Sequence, residues 1–389
     1  MPLGTIVRLL GKQSQMGYLD EVYNSVEDLS SDYFQTKACK AMLLKPLNAA
    51  SSHCHRLKIN IDDTKPREVY VCKDTSCYAH CAFSSVPDTL CKCGKVMEYA
   101  GDRPENDAKT AAAGSDNGVF VIGSQKFITT DDLQIGNVKI KVLQTRINSA
   151  VLYAEVGHDF VDLVFGLLSV PLGCVTKALS QRLSKGCIDN LYRSIAGSAE
   201  GCMGPDYKRM LLAPELAPFF GSGASQILEA AESAPKKIKV DSRFSCFKIG
   251  GFSNLGRCRE QAYRYNSSYG CNRHEFTYCQ NTTKTAEICE LDPKLHGVQN
   301  SNCDAYVKQG PQSFMVTDDL HVRPLTLDSS LRVVSEGKVQ MKDLVEKEVA
   351  LTKLQIMELQ RAALMTCEAL SSVLLPPKKK KKNLKHLMY

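Results

Sequence analysis

A long internal repeat constrains the fold of this chain more than any other feature. Pro2-Leu3-Gly4 returns as Pro171-Leu172-Gly173, and Gly17, Asp20, Tyr23 and Ser25 return in register as Gly186, Asp189, Tyr192 and Ser194. After a one-residue slip, Lys40, Met42-Leu43-Leu44 and Pro46 match Lys208, Met210-Leu211-Leu212 and Pro214. Further on, Phe127-x-x-Thr130-Asp131-Asp132-Leu133 matches Phe314-x-x-Thr317-Asp318-Asp319-Leu320. At 389 residues the chain is long for one compact domain, and about 150 residues per domain suggests two or three. Two copies of one unit account for most of it.

The copies differ at their front ends. Before Pro171, Val138, Ile140 and Val142 alternate as in a strand, and residues 150–156 read as its partner after a turn at Asn148-Ser149. Phe160, Leu163, Val164, Leu167 and Leu168 then fall on one helical face, with Asp159 near the start and Pro171 beyond the end. Copy one begins at Pro2 without this hairpin and helix, so the chain is expected to be either a truncated gene product or an N-terminally shortened form, with copy one the less stable of the two.

The rest reads as mixed α and β. A helix is expected over 32–44, capped by Ser30 or Ser31 and stopped by Pro46; residues 57–61 and 68–72 read as short strands, as do 118–122 and 127–130. Residues 100–117, rich in Ala, Gly, Asp and Asn, read as a loop, and 226–233 as a short helix within a small-residue stretch. Residues 235–240 alternate as a strand does. After Leu331 the pattern predicts helices over 341–349 and 354–370, packing on copy two. The expected fold is therefore α+β: repeat unit 1 over 1–136, repeat unit 2 over 137–330, a C-terminal helical segment over 331–375, and a Lys-rich tail over 376–389.

Charge narrows the function classes. The formal +7 comes largely from Lys378–Lys382 and Lys385; residues 1–375 hold 43 basic against 42 acidic side chains. A nearly neutral body argues against a nucleic-acid interface spread over the fold, leaving the tail as a nuclear-localisation or polyanion-binding patch, or as a solvated extension. No apolar run reaches the roughly 18 residues of a membrane span, and Met1–Gln15 has no secretory pattern, so a cytoplasmic or nuclear protein with reduced cysteines is expected. Asn266-Ser267-Ser268 and Asn281-Thr282-Thr283 then match a glycosylation triplet by chance.

Seventeen cysteines carry the chemical signal. Cys72-x4-Cys77 and Cys91-x-Cys93-Gly94 supply two close pairs, and four thiolates suit tetrahedral zinc. Gly94 permits the tight turn in which N–H groups face a thiolate. The expected site is a closed, structural zinc held by Cys72, Cys77, Cys91 and Cys93. Cys81 and His80 are alternative ligands, and ordinary reduced or buried cysteines are the competing explanation. Copy two has Cys246, Cys258, Cys271, Cys279, Cys289 and Cys303, with His274, but no close pair, so its counterpart reads as degenerate. His53-Cys54-His55 is metal-like in composition and equally consistent with an exposed loop.

Asp131-Asp132 and Asp318-Asp319 follow strands. Such pairs act as catalytic or metal-binding carboxylates only if both face one cleft; more often they cap a helix or close a turn. There is no Walker loop, His-Glu-x-x-His or Gly-x-Ser-x-Gly, and Gly221-Ser222-Gly223 lacks a third glycine and a preceding strand.

The Pro-Leu-Gly starts, the Tyr23 and Ser25 block, Met42-Leu43-Leu44-x-Pro46, residues 57–63, Cys91-Lys92-Cys93-Gly94, the Asp-Asp-Leu strand ends and residues 154–162 together resemble the plant family catalogued as domain of unknown function 674. The resemblance spans nearly all of 2–375 and implies a two-copy protein with no activity established for its family. The expected function is a non-enzymatic, zinc-stabilised interaction protein with a protein partner. A nucleic-acid-binding protein using the tail and zinc unit is the alternative, and a metal-dependent enzyme using the Asp pairs is the third.

Overall fold

The structure, a computed structural model, describes residues 1–51, 54, 68–72, 82–102, 138–146, 150–179, 187–197, 205–241, 285–295, 305–365 and 369–375. The sequence-predicted strands at 57–61, 118–122 and 127–130, together with Asp131-Asp132 and the Lys-rich tail, lie outside these residues.

Copy one opens with three helices, α1 (Leu3–Leu9), α2 (Leu19–Asp28) and α3 (Lys37–Leu44), followed by β1 (Glu68–Val71), β2 (Ala82–Phe83) and β3 (Glu98–Asp102). Copy two opens with β4 (Val138–Thr145), β5 (Val151–Val156) and α4 (His158–Gly166), then repeats the helix trio as α5 (Leu172–Leu179), α6 (Cys187–Ala196) and α7 (Pro205–Leu212). There follow α8 (Gly223–Ile227), β6 (Lys237–Asp241), β7 (Thr285–Glu290), β8 (Phe314–Thr317) and β9 (Val322–Pro324). The C-terminal part holds α9 (Leu327–Glu336), β10 (Leu344–Leu351), α10 (Lys353–Met365) and α11 (Ala369–Leu374). The fold is α+β, as expected.

The repeat is visible atom by atom. Tyr23 Oη donates to Leu44 O (3.0 Å) and Tyr192 Oη to Leu212 O (3.2 Å). Ser25 and Ser194 donate to Glu21 O (2.7 Å) and Asn190 O (2.8 Å). Thr5 Oγ1 and its counterpart Cys174 Sγ both donate to the carbonyl of the proline ending the trio, Pro46 (3.2 Å) and Pro214 (2.9 Å). The Pro-Leu-Gly glycines are where helices touch: a β-carbon at Gly4 would sit 3.1 Å from Leu43 O, and one at Gly173 would sit 3.3 Å from Leu211 O. These contacts lie within one helix trio, so each copy carries its own instructions.

A five-stranded antiparallel sheet, ordered β10-β4-β5-β8-β9, is the largest sheet among the described residues. Its inner face buries Ile140, Val142, Ala154, Val156, Phe314, Val316 and Val322. The other face of β4 carries Lys139 and Lys141, which pair with Glu348 (3.8 Å) and Glu155 (3.6 Å). Burying one such Leu, Val or Phe side chain contributes about 1.5–3 kcal/mol. Copy one's helices, α4, the inner face of this sheet and α10 share one continuous core. Two sequence units therefore fold into one hydrophobic body.

Several expectations are corrected. The helix expected over 32–44 is split: a 3-10 turn at Ser31–Tyr33 is capped by Ser30, and α3 starts only after Thr36, whose hydroxyl accepts from Cys39 N–H (3.2 Å). Between them Phe34 pairs with Val307, Gln35 N–H donates to Tyr306 O (2.8 Å) and Lys308 N–H to Tyr33 O (2.9 Å), so long-range strand pairing overrides local helix propensity. The helix expected over 341–349 is a short 3-10 turn followed by β10, so the C-terminal segment is not wholly helical. All eight residues of β10 pair with β4, which otherwise would present an open sheet edge.

The turn of helix expected over 226–233 forms earlier, at Gly223–Ile227, because Ser222 and Ser225 make a reciprocal capping box. Residues 100–102, expected in a loop, belong to β3. The C-terminal helices straddle both copies rather than packing on copy two alone. Tyr18 N–H of copy one donates to Ala363 O (2.7 Å), while Asp318 of copy two caps α11 through Ser371 N–H (2.7 Å).

Candidate metal centre

Residues 89–97 close a tight hairpin. Met97 N–H donates to Thr89 O, Cys91 N–H to Lys95 O, and Gly94 N–H to Cys91 O, each at 2.8 Å. This pattern leaves the three-residue connection Lys92-Cys93-Gly94, whose last residue must take a left-handed conformation. Gly94 has φ +82°, and a β-carbon there would meet nothing within 4 Å, so glycine is required by conformation and not by crowding.

The hairpin buries Cys91 and exposes Cys93, and β1 delivers Cys72 just past its last residue. The three sulfurs all lie within 4.8 Å of one another, and Cys72 Sγ and Cys93 Sγ are 3.6 Å apart. A disulfide needs about 2.05 Å. Sulfurs at the corners of a tetrahedron around zinc, each about 2.3 Å from the metal, are about 3.8 Å apart. The Cys72–Cys93 separation is close to that edge, and the three thiols together could hold a metal ion. Cys77, His80 and Cys81 lie outside the described residues, so three of the four expected donors are placed and they come together.

Cys91 and Met97 form a small core of their own, with Tyr70, Cys72 and Leu291 packed against it. Ser84, Val86 and Thr89 tie the adjoining loop together, Ser84 Oγ and Thr89 Oγ1 meeting at 2.8 Å, and Ser85 Oγ donates to the buried Glu290 of β7. β2 pairs in parallel with β7, and Leu291 N–H donates to Phe83 O (2.7 Å). Val69 and Val71 of β1, Phe83 of β2 and Val86 are buried as well, so the strands beside the cluster bring apolar packing of their own. Free thiols elsewhere are ordinary by comparison: burial pushes Cys39 and Cys174 up to about 11.

Asp318 and Asp319 do not face one cleft. Asp319 closes the β8–β9 turn, accepting from Thr317 Oγ1 and from His321 N–H (3.3 Å), with Leu320 between them at φ +59°. Asp318 turns to α11, as above. Both carboxylates serve as acceptors for backbone and hydroxyl donors.

A buried polar knot went unseen in the sequence. Asp162 on α4 accepts from Tyr306 N–H (2.6 Å) and Val307 N–H (3.1 Å), and burial, outweighing these bonds and Lys294, raises its carboxyl from 3.8 to about 6. Lys294, nearly fully buried, donates to Gly221 O and lies 4.2 Å from the centre of the Tyr306 ring. Tyr306 Oη donates to Phe220 O (2.8 Å), and burial lifts its pKa well above the usual phenol value. Thr36 Oγ1 joins from copy one by donating to Pro293 O (2.8 Å). The members lie 36 to 307 in sequence, so no local pattern announces them.

Comparison with known families decides what kind of unit repeats: the family described as Protein of unknown function (DUF674) matches residues 1–138 and again residues 136–354. The chain belongs to the DUF674 family. No curated protein and no solved structure matches it. The second DUF674 match begins two residues before β4, and the thiol cluster sits in the first. In the second, Cys289 is exposed on β7, while Cys246, Cys258, Cys271, His274, Cys279 and Cys303 lie outside the described residues. Of His53-Cys54-His55 only Cys54, half-buried, is described. Among the described residues no helix is long and apolar enough to cross a membrane.

Proposed function

We propose that this DUF674 protein is a non-enzymatic interaction protein whose first copy is stapled by structural zinc. The observation that carries the metal half is the convergence within 4.8 Å of Cys91 and Cys93, from a glycine-dependent hairpin, with Cys72 at the end of β1. Cys77 is the proposed fourth ligand, with Cys81 or His80 as its replacement. Four protein donors close the coordination sphere, so the metal supplies folding energy and no open position for chemistry. The use of Asp318 and Asp319 as turn and cap acceptors supports the non-enzymatic half. Reduced thiols of this kind belong in the cytoplasm or nucleus, where the partner is a protein.

The test is elemental mass spectrometry of the purified full chain beside Cys91→Ser and Cys93→Ser. One zinc per chain, lost in both variants together with proteolytic resistance of residues 68–102, is the expected result. Well-folded protein without stoichiometric metal would overturn the metal half.

A further inference from the structure

The three clustered sulfurs differ in what can reach them. Cys91 is wholly buried, packed with Met97, Tyr70 and Leu291. Cys72 is half-buried, and Cys93 is exposed in the hairpin connection between the exposed Lys92 and Gly94. A small oxidant dissolved in water therefore meets Cys93 first.

Cys93 also has a second thiol at hand. Its Sγ is 3.6 Å from Cys72 Sγ, so a disulfide bond of about 2.05 Å asks for an approach of only about 1.5 Å. The backbone holds the two in that relation. β3 continues out of the hairpin and pairs with β1, Val71 opposite Glu98, while Met97 N–H closes the hairpin on Thr89 O. Cys72, the residue after Val71, is thus carried to the hairpin by the same ladder. Cys91 is the poorer partner for Cys93. The turn between them is fixed by Cys91 N–H on Lys95 O and Gly94 N–H on Cys91 O, and the Cys91 side chain would have to leave its apolar packing to make the bond.

We propose that Cys72 and Cys93 are a site of reversible oxidation by hydroperoxides, and that the disulfide they form expels the metal. The proposal rests on the zinc reading above for what is released, and on the thiol geometry for which bond forms. The Cys93 thiolate attacks one oxygen of the peroxide; the O–O bond breaks, the departing hydroxide takes up a proton to become water, and Cys93 is left as a sulfenic acid. The Cys72 thiolate then attacks the Cys93 sulfur; the S–S bond forms, the S–O bond breaks, and a second hydroxide leaves and is protonated to water. Two thiolates are oxidised to one disulfide, and one hydrogen peroxide is reduced to two waters. Two of the four proposed ligands are then gone, while β1 and the hairpin stay joined through sulfur. Reduction by a dithiol restores both ligands.

The experiment treats the purified full chain with hydrogen peroxide. Zinc is followed with a chromogenic chelator, and linkages by mass spectrometry of unreduced peptides. One zinc should be released for each Cys72–Cys93 link formed, with Cys91 still a thiol, and dithiothreitol with added zinc should reverse both changes. Cys72→Ala removes the second thiol, and Cys93 should then accumulate as the sulfinic acid. A link from Cys93 to Cys91, Cys77 or Cys81, or sulfinic acid at Cys93 in the wild-type chain, overturns the proposal. So does zinc retained after the Cys72–Cys93 link has formed. Zinc in the untreated chain is counted first: its absence overturns the metal reading, and the link mapped in that same chain still decides which thiols pair.

Discussion

Replacing Asp162 by asparagine removes an ionisable group from the core while keeping an oxygen to accept from Tyr306 and Val307 N–H. The carboxyl is raised from 3.8 to about 6 in the folded protein, chiefly by burial. Between those values the unfolded chain is already ionised while the folded chain still holds its proton. Folding therefore binds a proton, and stability falls as pH rises through this window. A difference of about two units at 1.36 kcal/mol each makes the loss about 3 kcal/mol, fully developed above pH 6. Urea unfolding of wild type and Asp162→Asn at pH 4, 5, 6 and 7 isolates the contribution, because other carboxylates titrate in both proteins. The advantage of wild type over the variant should be largest at pH 4 and shrink by about 3 kcal/mol by pH 7. A difference that stays flat would show that Lys294 and the two N–H donors balance burial, and one that grows with pH that they outweigh it; either way the reasoning would fail.

Leu43→Ala and Leu211→Ala test the unequal burial of the two trios: the first should cost about 2–5 kcal/mol and the second no more than about 0.5, read by chemical denaturation. Gly17→Ala places a β-carbon 2.3 Å from Ala363 O at a residue with φ +57°, so it should lose well over the 1–2 kcal/mol of a left-handed residue alone, unless thermal unfolding shows the α10 contact is dispensable. Gly94→Val should strain the cysteine hairpin by about 1–2 kcal/mol and weaken zinc retention against a chelator, with the sheet unaffected by circular dichroism. Chelation of the wild-type chain should raise exchange in residues 82–102 and leave 138–156 protected; equal loosening of both would tie the cluster to the main core instead.

What the sequence disclosed and what it hid follow from the range of the interactions. Pro-Leu-Gly, the tyrosine and serine, and Met-Leu-Leu-x-Pro were legible because their hydrogen bonds and close approaches stay within one trio. Cys91, Cys93 and Gly94 were legible because the turn that joins them is local, and Cys72 lies only a hairpin away. β10 was misread because Leu344–Leu351 has charges at 346–348 and apolar residues at both ends, a pattern that suits a helix or an edge strand; its pairing with β4 decides the matter. The break before Thr36 depends on Tyr306 and Val307, far along the chain. Asp162, Lys294 and Tyr306 likewise share nothing in sequence, and only the packed core makes them neighbours.

The pairing of β10 with β4 also sets a timetable for synthesis. β4 leaves the ribosome about 200 residues ahead of the strand that covers its edge. At roughly 5–20 residues per second, its N–H and C=O groups wait some 10–40 seconds for their partner. Lys139 and Lys141, which end in ion pairs on the finished sheet, stand on that waiting strand as like charges that discourage pairing with a neighbouring nascent chain.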